Sequence, residues 1–167
     1  MIRKAAIVML LLCAGSVQAQ SPEEPDVRRA VNDFVRAFVN LDWERFRASF
    51  DSNATVFFPR AGRRAEEKQS IEAGFQQVFA KAREARKSAP YLTIEPHDMK
   101  VQAFGDTAIV TFHLDDDPAK IQRRTVVLHK TKVGWKIVHI HASEVAAQQD
   151  GGLQSGEKHP MKNENPK

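Results

Sequence analysis

The chain has 167 residues, 42% of them hydrophobic and 28% charged, with 25 basic against 21 acidic residues and a single cysteine. No Lys/Arg run is interleaved with aromatics, so nothing in the charge pattern supports nucleic-acid binding. One cysteine excludes an internal disulfide framework and a thiolate-rich metal site.

Arg3 and Lys4 precede an apolar run, residues 5–14, that is too short to cross a bilayer. Val17-Gln18-Ala19 then places small residues where a signal peptidase reads. Residues 1–19 are therefore expected to be a secretory signal peptide, with an N-terminal membrane anchor as the competing reading. Cys13 lies inside this segment and follows Leu12, where a lipobox needs a small residue. The mature chain is then expected to be cysteine-free, periplasmic or secreted, and free of the membrane. Loss of Arg3 and Lys4 leaves a net charge of about +2. Residues 20–25 read as a polar lead-in. Residues 148–167, with Gly151, Gly152, Gly156, Pro160 and Pro166, read as a disordered tail without periodicity. One domain, residues 26–147, remains, long enough for one core.

Val27, Ala30, Val31, Phe34, Phe38 and Leu41 recur at helical spacing and predict a first helix capped by Asp26. Asp42 predicts the cap of a short second helix carrying Trp43, Phe46 and Phe50. Residues 54–58 (ATVFF) are β-prone, and Pro59 stops them. Ile71, Phe75, Val78, Phe79 and Ala82 stripe a third helix over 66–86, ended by Ser88 and Pro90. Strand signals follow at 91–95, broken at Pro96, and at 99–104. The Gly105-Asp106 turn, a strand over 107–114 and the loop Asp115-Asp116-Asp117-Pro118 come next. A hairpin of 121–131 and 135–143 turns at Lys132-Val133-Gly134. Helices followed by an antiparallel meander predict the α+β class. In the last strand, regular alternation puts Trp135, Ile137, His139, His141 and Ser143 on one face. Lys136, Val138, Ile140 and Ala142 take the other.

Three stretches carry a family likeness: Gly105-Asp106-Thr107-Ala108, Arg124-Thr125-Val126-Val127-Leu128-His129-Lys130, and the ending Gly134-Trp135-Lys136-Ile137-Val138-His139-Ile140-His141-Ala142-Ser143. Over about residues 26–144 the chain resembles the SnoaL-like group of the nuclear-transport-factor-2-like superfamily. Within it, the chain resembles the hub (association) domain of calcium/calmodulin-dependent protein kinase II. The resemblance implies a cone-shaped, cystatin-like α+β fold, three N-terminal helices packed on a curved antiparallel sheet around a pocket. It also implies that the hub's anion-binding arginines are replaced here by Ala142, Val126 and Leu114. Arg124, in phase with Val126, would restore one positive charge at the pocket mouth. On this registration the ligand pocket is lined by Phe34, Phe38, Trp43, Val110, Phe112, Leu114, Arg124, Val126, Val138, Ile140 and Ala142, with Phe75 helping to close it. A concave, mostly apolar wall suits a small hydrophobic ligand; the same residues equally suit a filled core.

The opposite face is expected to carry His139 and His141, with His113 and His129 in phase. Two imidazoles about 6.6 Å apart on one strand make a metal site only with a third ligand, from His113 or His129. Hydrogen-bonded or interface histidines are the plainer reading. Trp135, Ile137, Val127 and Ile109 on that face form an apolar patch that predicts a homodimer through the outer sheet face. Isomerase chemistry in the superfamily implies a carboxylate base with tyrosine and protonated aspartate as oxyanion donors. Here Tyr91 sits at a strand start, Asp42 reads as a helix cap, and the Asp115–117 run reads as solvated charge. No catalytic residue, metal ligand or cofactor is assigned. The sequence predicts an exported small-ligand-binding or accessory domain, with a small SnoaL or ketosteroid-isomerase-type acid/base enzyme as the alternative.

Overall fold

The computed structural model describes residues 21–114 and 119–147. The expected signal at 1–19, the acidic loop at 115–118 and the tail at 148–167 lie outside these residues.

Helix α1 (Glu24–Val39) buries Val27, Val31, Phe34 and Ala37, spaced three and four apart so that they share one face. It starts before the expected cap. Pro25 sits in the first turn, where its missing N–H costs nothing. Asp26 is already helical, and its carboxylate pairs with Arg29 at 2.6 Å instead of capping a backbone N–H. A Schellman turn ends the helix: the N–H of Asp42 donates to Ala37 O, and that of Leu41 to Phe38 O. Leu41 takes the left-handed position (φ 53°) that favours glycine, and its buried side chain offsets that strain.

Helix α2 (Trp43–Ala48) is capped by Asp42, whose carboxylate accepts from the Arg45 N–H at 3.2 Å. It ends before Phe50, which opens strand β1 (Phe50–Phe57) and is not on the helix as expected. Helix α3 (Lys68–Ala85) buries Ile71, Phe75, Phe79 and Ala82, while Val78 stays at the exposed edge of that stripe. Strand β2 (Pro96–Phe104) begins at the proline expected to interrupt it. Pro96 is the first residue of an edge strand, where no ladder N–H is needed. Residues 91–95, expected as a strand, have no regular structure. Strands β3 (Thr107–Leu114), β4 (Lys120–Thr131) and β5 (Gly134–Ala146) complete the meander.

The sheet runs β1-β5-β4-β3-β2. Strands β2 to β5 pair antiparallel, but β1 lies parallel to β5, so the sheet is mixed. The α+β class and the order of helices before a curved sheet hold; the parallel first strand is what the meander signals missed.

The decisive irregularity is in β5. Leu128 pairs with Ile137 and Val127 with His139, so Val138 is an extra residue with no partner on β4. This β-bulge changes the alternation. Before it, Trp135 and Ile137 face inward and are 9% and 1% exposed; after it, Ile140 and Ala142 face inward at 5% and 8%. Regular alternation put Trp135 and Ile137 with the histidines, and the bulge overturns that. Both belong to the core, with Leu128 and Phe46. Phe46 sits at its centre, its ring 4.7 to 6.0 Å from those of Phe34, Phe38, Trp43, Phe50, Phe75 and Phe79. Each such ring pair adds about 0.5–1.5 kcal/mol beyond the area it buries.

Candidate functional site

Away from the Phe46 cluster the inner face of the sheet is not filled. A cavity of about 290 Å³ opens between α1, α3, the segment after β1 and the far ends of β3, β4 and β5. The sheet contributes Phe112, Leu114, Gln122, Arg124, Val126, Ile140 and Ala142; the helices contribute Phe34, Val35, Phe38, Phe75 and Val78. The register explains why these meet: Phe112, Arg124 and Ala142 are lateral neighbours across three strands, as are Val110, Val126 and Ile140 one step inward.

Of the expected pocket residues, Phe34, Phe38, Phe112, Leu114, Arg124, Val126, Ile140 and Ala142 line this one cavity. Three do not. Val110 is fully buried in the core beside them. Val138 is the bulged residue, displaced from the inward series. Trp43 packs on Phe46 and Phe79 and borders a separate cleft near β1. Regular alternation misplaced Val138. Trp43 was expected among the helix residues closing the pocket, but it sits in the ring cluster around Phe46.

Several lining residues were not expected: Val35, Val56, Phe58, Pro59, Leu92, Ile94 and Gln122. Gln122 is two residues from Arg124 and was legible by parity. Leu92 and Ile94 are held by tertiary contacts: the N–H groups of Tyr91 and Leu92 both donate to Val39 O.

Arg124 is the polar focus of the cavity. Its Nη2 donates to Gln122 Oε1 at 2.6 Å, and its Nη1 donates to Arg123 O at 2.9 Å and weakly to Ser143 O at 3.4 Å. These bonds fix the guanidinium against the sheet at one end of an otherwise apolar wall. Ala142, Val126 and Leu114 all lie in that wall. Among the described residues, no carboxylate, histidine or tyrosine lines it.

The outer face holds the histidines. His139 Nδ1 and Thr55 Oγ1 share a 2.7 Å hydrogen bond, and the Phe57 ring lies against both His139 and His141. Burial lowers the His139 pKa from its usual value of 6.5, and the nearby charges of His141 and Arg64 lower it further. His113 pairs with His97 and Arg123, so strand β4 separates it from His141. His129 lies on the far side of the bulge, opposite Lys136. A third imidazole is therefore not brought to the His139–His141 pair, and among the described residues no group of three metal-ligating side chains forms.

A larger concavity, about 880 Å³, lies between α1 and the β4–β5 turn. It is an open, charged surface groove. Its arginines Arg29, Arg36 and Arg45 each pair with an aspartate three residues earlier, and the Lys136 amine donates to Ala48 O at 2.6 Å. The smaller cavity has the more apolar wall of the two, so it is the better candidate for a ligand site.

The sequence profile of the SnoaL-like domain family matches residues 27–148, and the chain belongs to that family. No curated protein matches it significantly. Among solved structures, the CaMKII hub of S. rosetta is 30% identical, with 76% of this chain and 99% of that chain covered and a TM-score of 0.56. A provisionally assigned dehydratase of the NTF2-like family from Streptomyces avermitilis is 19% identical, covering 74% and 96% of the two chains, with a TM-score of 0.63. A provisionally assigned ketosteroid isomerase from Shewanella frigidimarina is 22% identical, covering 69% and 92%, with a TM-score of 0.53. The last two show a shared fold alone.

Proposed function

We propose that this chain is an exported ligand-binding domain whose cavity holds a small, largely apolar molecule. An anionic or hydrogen-bond-accepting group on that molecule would meet Arg124. The observation that carries this reading is the cavity: among the described residues its wall is apolar except for one anchored guanidinium and its amide partner. Such a wall supplies affinity by burying apolar surface and orientation by a single charged contact. Acid/base catalysis would need a titratable group at the reacting atom. Among the described residues Tyr91, Asp42, His97 and His139 all lie outside the lining, which supports binding over an isomerase-type reaction.

Pairing of two copies through the outer sheet face is part of the same proposal. Trp135 and Ile137 are core residues, which leaves Phe57, Ile109, Ile121, Val127 and Val145 among the half-buried apolar residues of that face. Export rests on the sequence of residues 1–19. Native mass spectrometry of the full chain expressed with secretion tests the three parts together. A mass lacking residues 1–19, doubled, and carrying a small organic adduct supports all three. A retained N-terminus contradicts export, a monomer contradicts pairing, and failure of any apolar anion to bind at millimolar concentration contradicts the ligand reading.

A further inference from the structure

Helix α3 carries a glycine in its interior, Gly74, where glycine is the poorest choice after proline. Its backbone needs no left-handed conformation. What it provides is space: a Cβ there would stand 2.5 Å from Cζ and 2.8 Å from Cε2 of Phe58. The tip of the Phe58 ring rests directly on the helix backbone. The same ring meets Phe75 edge-on, with centroids 5.0 Å apart, and lines the ligand cavity beside Pro59.

The backbone of Phe58 is tied on both sides. Val56 and Ala65 exchange two backbone hydrogen bonds at 2.9 and 2.8 Å, and Phe58 O accepts from the Ala61 N–H at 3.0 Å. Arg60, two residues on, is paired with Glu144 of β5. With the main chain held, any displacement of the ring must come from its side-chain torsions. The helix blocks one direction and the Phe75 ring a second, and the cavity is open beside both.

We propose that Gly74 is a specificity-determining residue: by letting the tip of the Phe58 ring rest on α3, it sets the width of the cavity and admits ligands with a broad apolar body. The proposal rests on the ligand-binding reading above. A methyl group at position 74 pushes the ring into the cavity and narrows it, so wide ligands are excluded before slim ones. Removing the Phe58 ring makes the methyl harmless.

Four proteins test this: wild type, Gly74→Ala, Phe58→Ala and the double variant. Benzoate and 2-naphthoate serve as slim and wide apolar anions, with binding read by isothermal titration. Gly74→Ala is expected to weaken 2-naphthoate about tenfold more than benzoate, a discrimination in the range that one or two carbon atoms give in a tight pocket. The double variant should recover the wide probe. Equal loss of both probes, or no loss, overturns the proposal alone. A wild type that binds neither probe overturns the ligand-binding reading and this proposal with it. Urea unfolding supplies a second readout that needs no ligand. Gly74→Ala should lower the midpoint in the wild-type background and raise it in the Phe58→Ala background. A rise in both shows that Phe58 is not seated on Gly74 and overturns the proposal.

Discussion

The inner face of the sheet has two ends, and they are built differently. At the β4–β5 turn, Trp135, Ile137 and Leu128 are buried with the rings around Phe46 in one core cluster. At the opposite end, Ala142, Val126 and Leu114 meet the flanks of Phe38 and Phe75, and about 290 Å³ stays open. Both ends are apolar, so hydrophobicity does not distinguish them. Side-chain size and the supply of helix aromatics do. The Val138 bulge joins them, because it lets the two halves of β5 present their apolar residues to one face while the histidines take the other. Closed packing at one end provides stability; incomplete packing at the other leaves room for a ligand.

The harshest way to break the comparison is a charge at the filled end. Ile137→Asp should cost about 5 kcal/mol or more and prevent folding, because Ile137 is 1% exposed. Val138→Asp should cost about 1 kcal/mol or less, since the bulge leaves that side chain half-exposed. Chemical denaturation of the pair decides between the bulged strand and regular alternation, which predicts the reverse order. Next in size is Phe46→Ala, expected to lose about 3–5 kcal/mol in the same assay. A loss under 1 kcal/mol would show that the ring cluster is not the stabilising centre.

At the open end the expectation is inverted: little stability and much binding. Arg124→Met should shift the unfolding free energy by about 1 kcal/mol or less. It should reduce affinity for an apolar anion about tenfold or more, the loss of one charge-assisted contact. An unchanged affinity for 2-naphthoate would remove Arg124 from the site. The smallest effect belongs to the outer face. The His139 pKa is lowered by folding, so its neutral form is the one the native state favours. Below pH 6.5 the unfolded state takes up the proton first, and stability falls until pH drops below the folded-state value. His139→Gln should flatten that decline in denaturation curves taken between pH 7.5 and 5. The decline is small because the ring is only partly buried, where solvent screens its charge interactions.

Much of this was legible in the sequence. The α1 and α3 stripes, the Asp42 cap, the extent of β3 and the two-residue parity of Arg124 with Val126 all follow from local periodicity and chemistry. The departures share one cause. Val138 looks like an ordinary strand valine, and nothing local marks it as unpaired; the bulge exists because Trp135 and Ile137 gain more by entering the core than the strand loses in regular pairing. The parallel alliance of β1 with β5 joins residues more than eighty positions apart, beyond any local signal. Leu92 and Ile94 have no secondary structure to predict; Leu92 is placed by its bond to Val39 O and Ile94 by packing against the core. Phe58 reads as the end of a β-prone run, and only Gly74, eighteen helix residues being otherwise rich in good formers, hinted that something presses on α3.

The most direct test of the central claim is a two-dimensional amide NMR titration of the folded chain with 2-naphthoate. Saturable shifts gathered on Phe112, Leu114, Arg124, Val126, Ile140 and Ala142, with Trp135 and Ile137 unmoved, are the expected result. Shifts confined to the charged groove between α1 and the β4–β5 turn, or no saturable shift at all, would contradict a ligand site at the open end of the sheet.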